Sequence, residues 1–450
     1  MTLVLALLLA QASAEVPATE ATPTPEQEIA DLKERLLELE RKVEDAQGRA
    51  KAVQDRMDAH ARFKVDPGGY LDLGFFWVQG NGSGVRRDLE HFGSGNRYGD
   101  ILGSWVLIGD PLSTTINARG DAADLSDSRA VRFDALHSQG RPSFIINTAN
   151  LSFRASLDNT WFVSILVDLL PRERIFNGGG SVGDFIDVKM ASLRWEGRFD
   201  WGFLTINAGK FDSLLGIEYR TQEAPQRLTV TPSLLCRYTC GRPLGLKARA
   251  EFFGKHLEIA AALTNGSSEL ETFPFSNETD FNFFKTVSGR VAVRLPVLDG
   301  LELIASGAVG AQDRQRDDGV MQWHLGAAAR LDWGRLQVMA EYVIGRANGK
   351  DAGAVPCGTA PCIKYKGAYG LVGVRLASYF LPYARVDWRQ ADLRSGFDYA
   401  YMSDVLRATI GLRYEPSSRV AVKAEYTFNA EFTRLQIPND ILTTSFVVSY

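Results

Sequence analysis

The last nine residues of the chain constrain its fold more than any other segment. Apolar Leu442, Phe446 and Val448 alternate with hydroxyl-bearing Thr443 and Ser445, and the final residue is aromatic. Because successive side chains of a β-strand point to opposite faces, this pattern predicts a strand with one apolar face and one mostly hydroxyl face. It favours a closed barrel in lipid, whose last strand pairs with the first, over the edge strand of a soluble sheet.

The composition is compatible with such a barrel. The 450 residues are 45% hydrophobic and 23% charged, and the length suits either several soluble domains or one large barrel. No run approaches the roughly 18 apolar residues that a spanning helix needs. Barrel strands escape this requirement because they bury only every second side chain in lipid. The net charge of −4 argues against a nucleic-acid partner.

The first residues predict export. Residues 3–10 are apolar, and Ala12-Ser13-Ala14 has the small-x-small pattern of a signal-peptide cleavage site, although no Lys or Arg precedes the apolar core. We therefore expect a signal peptide at 1–14 and a linker rich in Pro, Thr and Glu at 15–26. The alternative, the start of a buried helix, is disfavoured by the prolines of that linker.

Residues 27–62 predict a periplasmic coiled coil. Apolar residues recur in alternating steps of three and four, with charged residues between them, which leaves one narrow apolar seam that requires partner helices. A single amphipathic helix docked on its own barrel is the alternative, and the core residues do not decide between two and three helices. The predicted core positions are Ile29, Leu32, Leu36, Leu39, Val43, Ala46, Ala50, Val53 and Met57.

From Tyr70 onward the pattern changes to a period of two, which predicts an all-β antiparallel barrel over residues 63–450. The predicted strands run about ten to twelve residues, long enough to cross a bilayer at a tilt. Short turns such as Asp158-Asn159 alternate with long polar loops such as 212–242, as in outer-membrane barrels. About eighteen strands are expected, or sixteen if residues 101–120 do not form a hairpin.

The polar row of each strand is expected to face the lumen, because an Arg or Lys facing lipid at mid-bilayer costs about 2–4 kcal/mol. Charges in the lumen select ions, and a small basic excess predicts a mild preference for anions. The alternative is that neighbouring charges such as Arg249 and Glu251 pair and brace the wall. The candidate pore-lining residues are Arg154, Arg194, Lys247, Arg249, Glu251, Arg290, Arg294, Arg330, Arg375, Arg385, Arg407, Arg413 and Lys423.

Two loops are long and charged enough to fold inward and narrow the lumen. Segment 171–184 contains three consecutive glycines, and segment 212–242 is the longer of the two. Both also fit a position on the surface, which the sequence favours for the second. The constriction candidates are Arg172 and Arg174 in the first loop and Glu218 and Arg220 in the second.

The four cysteines fall in two close pairs. Cys236 and Cys240 share one predicted loop, and Cys357 and Cys362 share another. In an oxidising compartment such spacing favours a local disulfide within each loop, with a four-thiolate metal site as the less favoured alternative. We expect no cofactor.

No catalytic motif emerges. The sequence contains neither a Gly-x-Ser-x-Gly nor a His-Glu-x-x-His motif, and its histidines are scattered, which predicts a protein without enzymatic activity. The five histidines are His60, His91, His137, His256 and His324.

One stretch adds a family resemblance. Residues 208–212 read Ala-Gly-Lys-Phe-Asp and residues 215–219 read Leu-Gly-Ile-Glu-Tyr. This stretch is similar to the Gly-Lys-Phe and Gly-Tyr-Glu segment of Gram-negative porins, and the chain resembles the phosphate-selective porin superfamily and related trimeric porins with an N-terminal coiled coil.

The resemblance implies a homotrimer in the bacterial outer membrane, in contact with lipid and lipopolysaccharide. It also implies a passive aqueous channel for small hydrophilic solutes or anions. A phosphate-specific channel would need a denser Arg and Lys ladder than this chain has. The alternative is a structural barrel that anchors its periplasmic coiled coil to the peptidoglycan of the cell wall.

Overall fold

The computed structural model describes most of the predicted barrel and a few N-terminal residues. The described residues are 36, 38, 39, 41–43, 48, 63–78, 142–169, 173–175, 181–183, 186–265, 283–296, 300–311, 320–349, 362–395, 398–431 and 440–450. The predicted signal peptide (1–14), the linker (15–26) and the hairpin at 101–120 lie outside them. The chain divides into two units, Met1–Arg62 and Phe63–Tyr450.

In the first unit, the described residues are helical. Glu38 and Lys42 form an ion pair at 2.8 Å, one helical turn apart. Leu36, Leu39 and Val43, all predicted core positions, are more than half exposed. A helix is therefore present where the heptads predict one.

The second unit consists of long strands joined by turns and loops. The strands are β1 (Phe63–Val78), β2 (Ser143–Leu157), β3 (Trp161–Leu169), β4 (Glu173–Ile175), β5 (Ser181–Gly183), β6 (Ile186–Phe199), β7 (Gly202–Lys210), β8 (Leu244–Phe252), β9 (Leu257–Thr264), β10 (Thr286–Arg294), β11 (Leu301–Ala311), β12 (Val320–Trp333), β13 (Leu336–Gly349), β14 (Cys362–Val374), β15 (Phe380–Ser395), β16 (Asp398–Ser417), β17 (Val420–Glu431) and β18 (Ile441–Ser449).

Sixteen of the described strands form one closed antiparallel barrel, whereas β4 and β5 pair separately. The described barrel strands therefore number sixteen, the lower of the two expected counts. Strand β18 closes the barrel by pairing with β1, from Tyr70 opposite Ser449 to Val78 opposite Ile441. The terminal strand thus finds the partner that its alternation predicted.

Turns at one end of the barrel are short. Asp158 and Asn159, for example, have φ angles of 53°, as in the two-residue turns that suit the twist of a hairpin. At the opposite end the connections are longer, such as residues 211–243 between β7 and β8. We call these the short-turn end and the long-loop end.

The two faces of the wall differ as the sequence predicted. On β9, Glu258 and Ala260 are buried, whereas Ile259 and Leu263 are about half exposed on the outer surface. The same alternation continues around the barrel, so the apolar row faces outward and the polar row faces the lumen. No helix among the described residues is both long and apolar enough to span a membrane.

Aromatic rings collect on the outer wall at the short-turn end. Phe199 and Trp201 stack with ring centroids 5.2 Å apart, and the Tyr379 ring meets that of Tyr414 edge-on at 5.7 Å. Amphipathic rings favour the boundary between lipid and water. This end therefore has the aromatic girdle of a barrel that lies in a bilayer.

Candidate functional site

The long connection between β7 and β8 folds into the barrel. Residues 211–243, here called the inner loop, are mostly buried, and Ser233 and Leu234 are 0% exposed. The structure thus contradicts the surface position expected for segment 212–242. The reason is that its polar groups find partners on the lumen face of the wall, so that burial leaves few of them without a hydrogen bond.

A glycine allows the inner loop to approach the wall closely. Gly216 has a φ of +65°, and a Cβ atom added to it would lie 2.0 Å from Oε1 of Glu341 on β13. The backbone N–H of Gly216 donates to Oγ of Ser306 at 3.2 Å, and that of Ile217 donates to Oε2 of Glu341 at 3.3 Å. Another residue at position 216 would strain the backbone and collide with this carboxylate.

Glu425 on β17 is the principal acceptor on the opposite wall. Its carboxylate accepts the backbone N–H groups of Val230 and Thr231, both at 2.8 Å. The hydroxyl of Thr231 and that of Tyr383 donate to it as well, at 2.5 and 2.9 Å. Four donors around one buried carboxylate fix this part of the inner loop.

Basic side chains of the wall hold the carbonyl groups of the inner loop. Nζ of Lys423 donates to the carbonyl oxygens of Ala224, Arg227 and Thr229 at 2.8–3.2 Å. Arg413 donates to the carbonyls of Arg227 and Pro225, both at 2.6 Å. These charges therefore act as anchors for backbone groups that have left water.

The same arrangement recurs on β15. Arg385 donates to the carbonyl oxygens of Thr231 and Pro232 at 2.7 and 2.9 Å. Its Nε atom pairs with Oδ2 of Asp387 at 2.8 Å, and Asp387 accepts the backbone N–H of Leu234 at 3.2 Å. The Arg385–Asp387 ion pair of the wall thus donates to carbonyl groups of the inner loop and accepts a hydrogen bond from one of its backbone N–H groups.

A third set of contacts ties the start of the inner loop to β10 and β11. Arg290 donates to the carbonyl of Gly216 at 2.8 Å and pairs with Glu258 at 3.2 Å. Arg220, a predicted constriction residue, forms an ion pair of 2.6 Å with Glu302. It therefore contacts the wall through a carboxylate rather than remaining free in solution.

Glu223 is the acidic centre of the inner loop. It accepts the hydroxyl of Tyr70 on β1 at 2.5 Å and pairs with Arg242 at 2.5 Å and Lys189 at 3.3 Å. Burial alone would raise the pKa of Glu223, but Lys189 and Arg242 outweigh it and lower the pKa to about 2. The carboxylate is therefore ionised throughout the physiological range.

The two cysteines of the inner loop form a disulfide within a short helix, Cys236–Thr239. Both lie inside the barrel and not at its surface. Beside them, the ring of Tyr238 stacks on that of Tyr365 on β14, with centroids 4.1 Å apart. The disulfide and the stacked rings make the end of the inner loop rigid. Cys357 lies outside the described residues, and Cys362 begins β14.

Glu218, the other constriction candidate in this loop, is also buried. Its carboxylate accepts the backbone N–H of Ser233 at 2.8 Å and the hydroxyl of the same residue. It lies with Cys236 and Cys240 in a group whose ligand atoms are within 4.8 Å of one another. Because both sulfurs are in the disulfide, neither can act as a thiolate ligand. The group does not fit a metal ion in this state.

The predicted pore-lining residues therefore divide into three sets, the last of which, Arg154 and Arg194, lies on a less covered part of the wall. Six are buried, most of them against the inner loop, and do not present their charge to an open channel. Lys247 also anchors the inner loop, because its Nζ donates to the carbonyl of Asp212 at 2.9 Å. The buried six are Glu251, Arg290, Arg385, Arg407, Arg413 and Lys423.

The second set forms ion pairs at the short-turn end and remains partly exposed. Arg330 pairs with Asp332 at 2.7 Å, and Arg375 pairs with Glu415 at 3.0 Å. Further pairs join Arg249 to Glu251 at 3.5 Å and Arg294 to Glu302 at 3.3 Å. Paired charges of opposite sign thus line this end of the barrel from β8 to β16, which agrees with the wall-bracing interpretation.

Near the short-turn end, the inner loop leaves the lumen face of β2, β3 and β6 partly uncovered. Inward-facing Ser152, Phe162 and Ser164 keep intermediate exposure, and Arg154 is exposed. The guanidinium of Arg194 lies 4.6 Å from the centre of the Phe162 ring. We call these five residues the uncovered wall. No ion pair among the described residues joins Arg154 to an acid, whereas Arg194 pairs with Glu196 at 3.0 Å.

A cavity of about 100 Å³ separates the inner loop from β12–β15. Arg330, Gln337, Tyr369 and Arg385 line it from the wall, and residues 226–229 line it from the loop. Apolar Leu228, Met339 and Leu371 line it together with these polar groups, and it is large enough for a few water molecules.

The other candidate loop is described only in part. Within segment 171–184, β4 and β5 form a small two-stranded sheet in which Arg174 pairs with Val182. Arg172 lies outside the described residues. The structure therefore assigns the inward position to residues 211–243, and the constriction role of segment 171–184 stays a prediction.

No known protein family and no curated protein matches this sequence. Solved structures do resemble the fold. The trimer form of in-vitro folded OmpT, an outer membrane protein of Vibrio cholerae, is 10% identical with a TM-score of 0.50, covering 86% of this chain and 99% of that one. The anion-selective porin of Comamonas acidovorans is also 10% identical with a TM-score of 0.50, and the match covers 86% of this chain and 100% of that one.

OmpF of Salmonella typhi, solved with daunomycin, is 11% identical with a TM-score of 0.50, covering 86% of this chain and 98% of that one. At such low identity the likeness establishes the fold alone. The chain has the closed sixteen-stranded barrel fold of outer-membrane porins.

Proposed function

We propose that this chain is an outer-membrane porin, a passive channel for small hydrophilic solutes with a mild preference for anions. The observation that carries the proposal is a closed barrel of sixteen strands, apolar outside and polar inside, with a long loop folded into its lumen. Sixteen strands enclose more space than their own side chains fill, which leaves room for an aqueous path.

The uncovered wall supports both the proposed path of the solute and the proposed preference for anions. Arg154, Arg194 and Glu196 leave one net positive charge on this side of the lumen. A solute that passes between the inner loop and the uncovered wall meets this charge in a confined space, where it favours anions. No covalent step is involved, so the protein discriminates by size and charge and is not an enzyme.

We further propose that the protein is a homotrimer exported by its signal peptide, with residues 27–62 forming a periplasmic coiled coil. A trimer form of one structural neighbour supports the oligomer. The helical turn around Glu38 and the exposed Leu36, Leu39 and Val43 support the coiled coil, because an exposed apolar seam is stabilised by partner helices.

The dense anchoring of the inner loop supports a second candidate. A lumen filled by its own loop suits a structural barrel that anchors the coiled coil to peptidoglycan. Single-channel recording of the refolded protein in a planar bilayer separates the two functions. The porin gives conductance steps in groups of three and a reversal potential of anion sign under a salt gradient. A silent membrane, with heat-modifiable gel mobility showing folded protein, would reject the pore and favour the anchor.

A further inference from the structure

Basic side chains cluster on the outer wall at the long-loop end. Arg346 on β13 and Lys364 on β14 are exposed, and Lys366 is partly exposed. They face outward because they alternate with the buried positions 345, 365 and 367. Arg346 lies opposite Lys364 in the strand register. The three bases therefore occupy one patch, two strands wide, with Cβ atoms about 5–7 Å apart between neighbours.

An aromatic residue and an acid of the next strands border this patch. Nζ of Lys366 lies 5.5 Å from the centre of the Trp388 ring. Nε1 of Trp388 donates to Oδ1 of Asp404 on β16 at 3.0 Å. The three bases outnumber Asp404, so the patch keeps a net positive charge, and the Trp388 ring lies beside one of its cations.

The position of the patch along the strand matches the edge of a bilayer. Lys366 lies eight residues above Val374, which faces outward near the short-turn end. At a rise of about 3.3 Å per residue and a tilt of about 40°, this separation spans about 20 Å of height. The apolar band of such barrels is about 25 Å tall, so Lys366 lies about 5 Å below its upper boundary, and Lys364, two residues further along β14, lies at that boundary.

Several other strands carry apolar residues at this end of the outer wall, although β7 carries the base Lys210, whose Nζ donates to the carbonyl of Val188 at 2.8 Å. Phe144 on β2 and Leu246 on β8 are both more than half exposed there, and Trp323 on β12 lies opposite Arg346. A cation that faces lipid is costly at the bilayer centre and tolerated at the interface, where it meets phosphate. The clustering of bases on two adjacent strands therefore indicates a specific anionic neighbour.

We propose that Arg346, Lys364 and Lys366 bind the phosphorylated headgroup of a lipid in the leaflet around the long-loop end. The Arg346 guanidinium supplies a planar pair of donors for phosphate oxygens, and the two ammonium groups supply point charges beside it. The Trp388 ring lies where headgroup and acyl chains meet. This inference rests on the membrane location in the proposed function, but not on an open channel.

Native mass spectrometry of the full chain, refolded in detergent, tests the proposal with diphosphoryl lipid A and its dephosphorylated form as probes. We expect the wild type to bind the phosphorylated lipid at least tenfold more tightly. The variant Arg346→Ala/Lys364→Ala/Lys366→Ala should lose that preference. Lys64→Ala/Lys255→Ala/Arg335→Ala, which removes three exposed bases at the short-turn end, should retain it. Lys366→Gln replaces the triple variant if gel mobility shows misfolding, with a smaller loss expected.

Equal binding of both lipids by the wild type, or an unchanged preference in the folded patch variant, would overturn the proposal. A conductance measurement on the same preparations tests the porin proposal independently of the lipid-binding proposal. A lipid preference with a silent membrane rejects the pore and retains the patch. An open channel without a lipid preference rejects the patch and retains the pore.

Discussion

Glu425 on β17 and Thr231 in the inner loop are joined by two hydrogen bonds, one from the backbone N–H at 2.8 Å and one from the hydroxyl at 2.5 Å. The two residues are 194 positions apart in the chain. This contact holds the inner loop against the lumen face of the wall.

Replacing Glu425 should loosen the inner loop. Glu425→Ala leaves the N–H groups of Val230 and Thr231 without their acceptor, and a hydrogen bond to a charged group contributes about 1.5–3 kcal/mol. We expect noisier single-channel currents and faster proteolysis within 224–234, with the barrel still folded. Asp200→Asn, which removes an exposed carboxylate at the turn between β6 and β7, serves as the control. Identical current noise in the two variants would contradict the anchoring role.

The uncovered wall should set ion preference. Arg154→Ala/Arg194→Ala removes both bases from this part of the lumen and leaves Glu196 unbalanced, so the reversal potential should shift toward cation preference. Lys255→Ala/Arg335→Ala removes two bases from turn tips, at positions where both are exposed, and should leave the reversal potential unchanged. A shift of equal size in both variants would show that overall charge, and not the uncovered wall, selects the ion.

How far the sequence predicts the structure depends on the distance over which residues interact. Alternation is local, so the strands, their short turns and the β1–β18 closure were predictable from segments such as 442–450. The inward position of the inner loop was predicted only as the less favoured alternative, because Glu218 and Arg220 resemble residues of a solvated surface loop and their partners lie far away in the chain. The buried Leu234, Leu235 and Tyr238 were the available signal, since a surface loop seldom needs so many apolar residues.

The ion pairs of the lumen illustrate the same limit. Arg249 and Glu251 lie two residues apart on one strand face, so their pairing was visible in the sequence as an alternative. The carbonyl partners of Lys423 and Arg413 were not, because backbone groups carry no sequence signal. Charge counting therefore overestimated the number of bases available to solutes.

Deletion of residues 27–62 should weaken the oligomer and spare the barrel. The coiled coil contributes its apolar seam to association, whereas the wall of the barrel is complete without it. We expect the trimer band on semi-native gels to disappear at a lower temperature than in the full chain. Deletion of the linker 15–26 is the control. An unchanged trimer after the first deletion would refute the role assigned to the heptads.

The anchoring by Glu223 should depend on pH in a defined window. The pKa of Glu223 is lowered from 4.5 to about 2. A carboxylate with a lowered pKa stabilises the folded state fully above about 4.5, and this contribution is lost as the pH falls toward 2. The protection factors of amides 220–230, which correct for the intrinsic pH dependence of hydrogen exchange, should therefore stay high at pH 5–7 and fall below pH 4. Glu223→Gln should exchange faster already at pH 7, and a wild-type transition at pH 6 would contradict this assignment.

The inner loop also contacts strands on both sides of the β1–β18 pairing that closes the barrel. Glu223 contacts Tyr70 on β1, and the next residue, Ala224, accepts from Lys423 on β17. Tyr70 and Ala224 pack with Ala421 and with Val447 of β18 in one apolar cluster. This cluster is complete only when the first strand has met the last two, so the inner loop and the closed sheet stabilise each other. The loop that occupies the lumen therefore also holds together the strands at which the barrel closes.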